Sequence, residues 1–201
     1  MLFLTENRVL ELLFDDLTKE YTILEISRVL KSPYSQTHRA VKSLIKRGLI
    51  SHTKIGKASV IGLKLTEIKK EYIFAELERC DRALKMYAPI RVVFNCLEEI
   101  ANIQFICIVF GSYAKKKPTP KSDVDLLFII PKEYDYGAFE RNVRNILIAS
   151  NTDINIVFDD SMLEMWKTPQ KLNIGNELLK GHIILRGAEA FLELRKRHYV
   201  G

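Results

Sequence analysis

The sequence predicts an α/β protein in two parts: a small module of helices closed by a hairpin, then a larger domain whose helices flank a mixed sheet. Three observations carry that expectation. Residues 1–68 show three successive stretches of helical periodicity and then two alternating runs about a glycine. Residues 88–201 alternate short β-rich apolar runs with helical stretches, the rhythm of helices layered on a sheet. Residues 69–87 are helical in pattern and highly charged, and read as a connector.

In the first part, Leu10, Leu12, Leu13 and Leu17 give an apolar face to a helix between about Glu6 and Tyr21. Thr22 with Glu25 three residues on is a capping box for a second helix that buries Ile23, Ile26, Val29 and Leu30. Ser32 as N-cap and Pro33 at the first helical position start a third, with Thr37, Val41, Leu44 and Ile45 inward and Gly48 as its stop. "LISHTKIGKASVIGLKL" then alternates like two strands around Gly56. This order resembles a winged helix-turn-helix over residues 1–68. The resemblance makes the Pro33 to Arg47 helix a recognition helix, whose outward Gln36, His38, Arg39, Lys42 and Lys46 offer donors to phosphates and base edges. Lys54 and Lys57 fall on the wing, and DNA is the implied partner. Winged helices also serve as dimerisation and protein-docking modules, so a solvated helix face or a homodimer stays open beside DNA contact.

The net charge of +6 agrees with a polyanionic partner such as nucleic acid or nucleotide phosphate, though solvated lysines give the same balance. No run of about 18 apolar residues could span a bilayer. The opening Met-Leu-Phe-Leu is interrupted at once by Thr5, Glu6 and Asn7, too soon for a signal-peptide core, so the expected location is cytoplasmic, with no membrane. Cys80, Cys96 and Cys107 are odd in number and lack a Cys-x-x-Cys spacing, which argues against a disulfide framework and a cysteine zinc site.

In the second part, "IRVVFNCLEEIAN" is an amphipathic helix, and "QFICIVF", "VDLLFII", "DINIVF" and "HIILRG" read as strands, with the helix "YGAFERNVRNILIAS" between the second and third. Alternation on a strand puts Asp123 and Asp125 on one face, with Val124, Leu126, Phe128 and Ile130 on the other. Two hard oxygen ligands at a strand mouth suit Mg²⁺, which favours one or two carboxylates plus water and substrate phosphate. Alone, such a pair is commonly surface. Gly111-Ser112, ten residues earlier, ends one strand and opens a loop where backbone N–H groups can meet phosphate and the Ser112 hydroxyl adds a donor. Asp153 opens the third strand as Asp123 opens the second; if the two strands are neighbours, three acids cluster where a cation is needed to offset their repulsion. Asp159 and Asp160 lie past the strand and are expected in a turn. Lys115, Lys116, Lys117 and Lys121 would bring positive charge to a phosphate, or form a solvated loop. Trp166, Met162 and Met165 are core or a purine platform.

Gly111-Ser112, ten intervening residues, Asp123-Val124-Asp125 and a later strand acid at Asp153 resemble the nucleotidyltransferase fold of the DNA polymerase β superfamily, in particular its minimal nucleotidyltransferase branch. The resemblance covers about residues 88–201. It implies an α+β nucleotidyltransferase fold and transfer of a nucleoside monophosphate from an NTP, ATP favoured, to a protein or nucleic-acid hydroxyl. By it Gly111 and Ser112 hold the triphosphate, beside which the charge of Lys115 is a candidate nucleotide contact; Asp123 and Asp125 bind two Mg²⁺ ions; and Asp153 binds one and helps deprotonate the acceptor. Small members of this branch act with separate partners, including antitoxins that modify a helical toxin, so a helical protein in trans is a further expectation. Family members often carry Gly where this chain has Lys116. The competing expectation is a DNA-binding transcriptional regulator whose second domain only senses nucleotide.

Overall fold

In a computed structural model, residues 3–56, 58–100 and 103–200 are described. The first part comprises α1 (Leu4–Asp15), β1 (Tyr21–Thr22), α2 (Ile23–Val29), α3 (Tyr34–Lys46), β2 (Ile50–Ile55) and β3 (Ala58–Leu63). Its strands order as β1-β3-β2, all antiparallel, so the hairpin and a two-residue strand lean on three helices as in a winged helix. Val9, Leu10, Leu13, Phe14, Ile26, Val41, Leu44 and Ile61 fill the core between them.

The chain departs from expectation at three points here. α1 ends at Asp15, not near Tyr21, because the Asp16 carboxylate accepts hydrogen bonds from the Thr18 amide (2.9 Å) and hydroxyl (2.6 Å), turning the chain outward. Tyr21 is thereby freed to pair with Ile61. Pro33, not Ser32, is the N-cap of α3, and Val29, expected to be buried by α2, is exposed because it falls at the helix's last position, away from the core formed by Ile26. The Thr22/Glu25 capping box of α2 forms as expected, with the Glu25 amide donating to Thr22 Oγ1 at 3.2 Å.

The second part runs α4 (Lys70–Met86), α5 (Ala88–Cys96), a 3₁₀ turn (Leu97–Glu99), β4 (Ile106–Val109), α6 (Gly111–Ala114), β5 (Val124–Ile130), α7 (Tyr136–Ile146), β6 (Thr152–Phe158), α8 (Asp159–Trp166), α9 (Ile174–Leu179), β7 (Ile183–Arg186) and α10 (Ala188–Val200). The sheet order is β6-β5-β4-β7, with β5 parallel to β6 and the other pairs antiparallel. One face, with Val124, Leu126, Phe128 and Ile130, packs against Ile90, Val93, Phe139 and Val143. The other, with Leu127 and Ile129, packs against Met162, Trp166, Phe191 and Leu194. Trp166 is therefore core, its indole N–H donating to the Gly175 carbonyl (2.9 Å), and the purine-platform alternative does not hold. Asp159 and Asp160 are not in a turn: they open α8, where the helix dipole favours acids.

α4 is a shared spine. Its Tyr72 and Ala75 belong to the N-terminal core, and its Cys80 and Ala83 to the core beneath the sheet. Between them Glu76 is fully buried, bonded to Arg79 and to His182 Nε2 (3.0 Å), while Arg79 also donates to the His182 carbonyl (2.6 Å). Burial pushes the Glu76 carboxyl up, but the Arg79 and His182 charges outweigh it and hold the group below the ordinary range. A depressed carboxyl contributes stability above its unfolded pKa and loses it as pH falls through the folded one. Glu76→Ala, which leaves the buried Arg79 with only its longer contact to Asp15, is expected to cost on the order of 3 kcal/mol in a denaturant titration. That deficit should shrink below about pH 4, where the wild-type carboxylate is itself being protonated.

Candidate active site and nucleic-acid interface

Sheet direction assembles the first constellation. Antiparallel pairing brings the end of β4 beside the start of β5, with Val109 opposite Leu126 and the Phe110 amide donating to the Asp125 carbonyl (3.0 Å). Parallel pairing sets β6 in step, with Asp125 opposite Asp153. Gly111, Ser112, Asp123, Asp125 and Asp153, widely separated in sequence, therefore meet at one end of the sheet. Asp123 and Asp153 are exposed and Asp125 half-buried.

Gly111 and Asp125 are in direct opposition. Gly111 has φ +64°, and a Cβ there would stand 1.9 Å from Asp125 Oδ2. Only a residue with no side chain admits this carboxylate. The Ser112 backbone amide lies on the same side as this carboxylate and favours its charged form. Burial raises the Asp125 carboxyl above its usual range, the Asp123 charge and then the Asp153 charge raise it further, and the backbone amides pull the other way. Asp153 Oδ2 accepts from the Asn155 side-chain Nδ2 at 3.3 Å.

The donor set suits a hard divalent cation: three carboxylates of one sign, one of them pushed toward its neutral form by burial and then by the other two. Among the described residues, however, no three His, Cys, Asp or Glu side chains are gathered closely enough to hold a metal between them. Mutual repulsion keeps uncompensated carboxylates apart, and Mg²⁺ needs only one or two of them when substrate phosphate supplies the rest. The loop lysines divide. Lys115 Nζ donates to Glu177 of α9 (2.8 Å) and Lys116 Nζ to Asp15 of α1 (2.5 Å), so both are engaged away from the acids.

The second constellation lies on the first domain. Gln36, Arg39, Lys42 and Lys46 of α3 and Lys54 of β2 are exposed, and Arg39, Lys42 and Lys46 follow one another at helical spacing along one face. His38 is half-buried and stacks on Tyr34, ring centroids 5.9 Å apart. Gln36 Nε2 donates to Thr5 Oγ1 (2.8 Å), which ties its side chain toward α1. Lys57 lies outside the described residues. Reading donors one at a time misses a stronger signal: from Ile26 to Thr66 there is no Asp or Glu, while Arg28, Lys31, Arg39, Lys42, Lys46, Arg47, Lys54 and Lys64 all fall in that span. The acids of the domain are left to α1, its flanks and the start of α2.

Residues 93–167 match the family described as polymerase beta, nucleotidyltransferase. The chain thus carries a nucleotidyltransferase-type domain within an α/β fold, behind a winged-helix module. None of the curated proteins matches it. Among solved structures, the adhesin competence repressor AdcR from Streptococcus pyogenes aligns at 20% identity over 50% of this chain and 81% of its own, with a TM-score of 0.32, too distant to bear on function. No described helix is long and apolar enough to cross a membrane.

Proposed function

We propose that the protein is an Mg²⁺-dependent nucleotidyltransferase that transfers a nucleoside monophosphate from an NTP, ATP favoured, to a hydroxyl of a protein or nucleic acid, with residues 1–68 binding DNA. The observation that carries the reading is the opposition of Gly111-Ser112 to Asp125, with Asp153 in register beside it, inside the matched segment. The acceptor oxygen attacks the α-phosphorus, a new P–O bond forms, the α–β phosphoanhydride bond breaks and pyrophosphate leaves. Divalent ions held by Asp123, Asp125 and Asp153 would supply acidity to the attacking hydroxyl and neutralise charge on the leaving group. Asp153 takes the acceptor proton, and Gly111 and Ser112 offer the turn against which the phosphates lie. Residues 69–87 connect this domain, residues 88–201, to the winged helix.

Incubation with each labelled NTP, Mg²⁺ and candidate acceptor proteins or nucleic acids tests the reading. Label should pass to an acceptor with stoichiometric pyrophosphate release from wild type and not from the Asp123→Ala, Asp125→Ala double variant; equal transfer by both refutes the assignment. The exposed, ungathered acids favour one second reading, a regulator that binds nucleotide as a signal, and for it nucleotide binds with no pyrophosphate released.

The basic, acid-free span supports DNA as the partner of the first domain. Arg39→Ala with Lys42→Ala is expected to lower DNA affinity across sequences and to flatten the log K against log salt slope by about 2, one phosphate contact each. Fluorescence anisotropy over a salt series measures both, and an unchanged slope would place the interface elsewhere.

A further inference from the structure

The Lys116 side chain leaves the candidate active site entirely, yet its backbone closes the turn on which that site depends. Lys116 has φ +58°, a left-handed conformation that glycine adopts freely and lysine does not. Around it the chain hydrogen-bonds directly back to the cradle: the Lys115 amide to the Gly111 carbonyl (3.1 Å), the Lys116 amide to Tyr113 (3.0 Å) and the Lys117 amide to Ser112 (2.9 Å). A displacement of Lys116 is therefore a displacement of Gly111 and Ser112.

Its ammonium donates to Asp15 Oδ2, and Asp15 Oδ1 accepts from Arg79 at 3.4 Å. Asp15 is the last residue of α1, so the winged-helix domain grips the turn, and Arg79 secures that grip to the buried Glu76 and to the carbonyl of His182. Asp15, Arg79 and Lys116 line a cleft of about 250 Å³ between the two parts, together with Arg8, Leu30, Ala83 and Tyr87.

Resting on the proposed function, we infer that Asp15 and Lys116 are a positioning pair: the first domain holds the phosphate-binding turn of the second in its working geometry through this one ion pair. The left-handed lysine reaches Asp15 with its side chain, which a glycine at the same position could not do.

The test is calorimetric titration of the full chain with ATP and Mg²⁺, alongside thermal melts. Asp15→Asn and Lys116→Gly are each expected to weaken ATP binding about three- to fivefold, the range of a partly exposed ion pair. The double variant should be no weaker than either single, because both remove one interaction. Lys116→Gly relieves the backbone and should melt no lower than wild type, so affinity falls where stability does not; Lys116→Arg should restore binding to within about twofold. Unchanged or tighter binding by Asp15→Asn overturns the inference, the tighter result meaning that a released Lys116 contacts phosphate itself. Wild type that binds none of ATP, GTP, CTP or UTP with Mg²⁺ overturns the nucleotidyltransferase reading and this inference with it.

Discussion

Asp125→Asn should reduce nucleotidyl transfer by at least about a hundredfold, roughly 2.7 kcal/mol of transition-state stabilisation, while the protein stays folded. The amide keeps the shape of the carboxylate against Gly111, so the turn is preserved. It lacks the charge a divalent ion needs. The sign of the stability change is a sharper check. The Asp125 carboxyl is held above its usual range by burial and by Asp123 and Asp153. A raised carboxyl favours the folded state below its unfolded pKa, and that advantage is lost as pH rises through the folded pKa. In metal-free buffer the variant should therefore melt at or above wild type at pH 7, and the difference should shrink toward pH 4. A variant that is inactive and also much less stable at pH 7 would assign Asp125 to structure instead. Added Mg²⁺ should raise the melting temperature of wild type more than that of the variant, because only wild type carries the extra carboxylate.

Gly111→Ala should have the largest effect on both fold and activity. A left-handed alanine alone costs about 1–2 kcal/mol. A methyl group 1.9 Å from Asp125 Oδ2 cannot be accommodated by a small shift, so either the carboxylate or the turn must leave. Destabilisation of about 2–4 kcal/mol in urea is expected, with nucleotide binding and transfer lost together. Ser112→Ala keeps the backbone donor and removes one hydroxyl, and should cost about tenfold or less in affinity, the worth of a single hydrogen bond. If Gly111→Ala proves no worse than Ser112→Ala, the close approach of turn and acid is not what the site depends on.

The fold was legible wherever local periodicity and capping decide it. Thr22 and Glu25 form their box, and β5 puts Val124, Leu126, Phe128 and Ile130 on one face. The strand neighbours were only a condition in the sequence, since periodicity does not say which strands pair; the structure supplies the parallel β5 and β6 register. Element ends were the weaker part. α1 stops at Asp15 because of a side-chain turn at Asp16 and a long-range bond from the Leu17 amide to the Leu179 carbonyl, and the second of these is invisible locally. In the candidate site, Gly111, Ser112 and the three acids carry their own motif. The destination of Lys116 does not, because its partner Asp15 is a hundred residues away in another domain, and only the fold brings them together.

The place of Asp153 on β6, one of the two edge strands of its sheet, has a chemical consequence. A donor phosphate laid against acids that are themselves in water is open to attack by water as well as by an acceptor. A site at a rim cannot dry itself. On the proposed reading, the acceptor must supply the wall that the sheet lacks, and a macromolecule does this better than a small alcohol. Hydrolysis of the nucleotide and its productive transfer would then be separated by what covers the edge of the sheet, so fidelity is a property of the complex rather than of either chain.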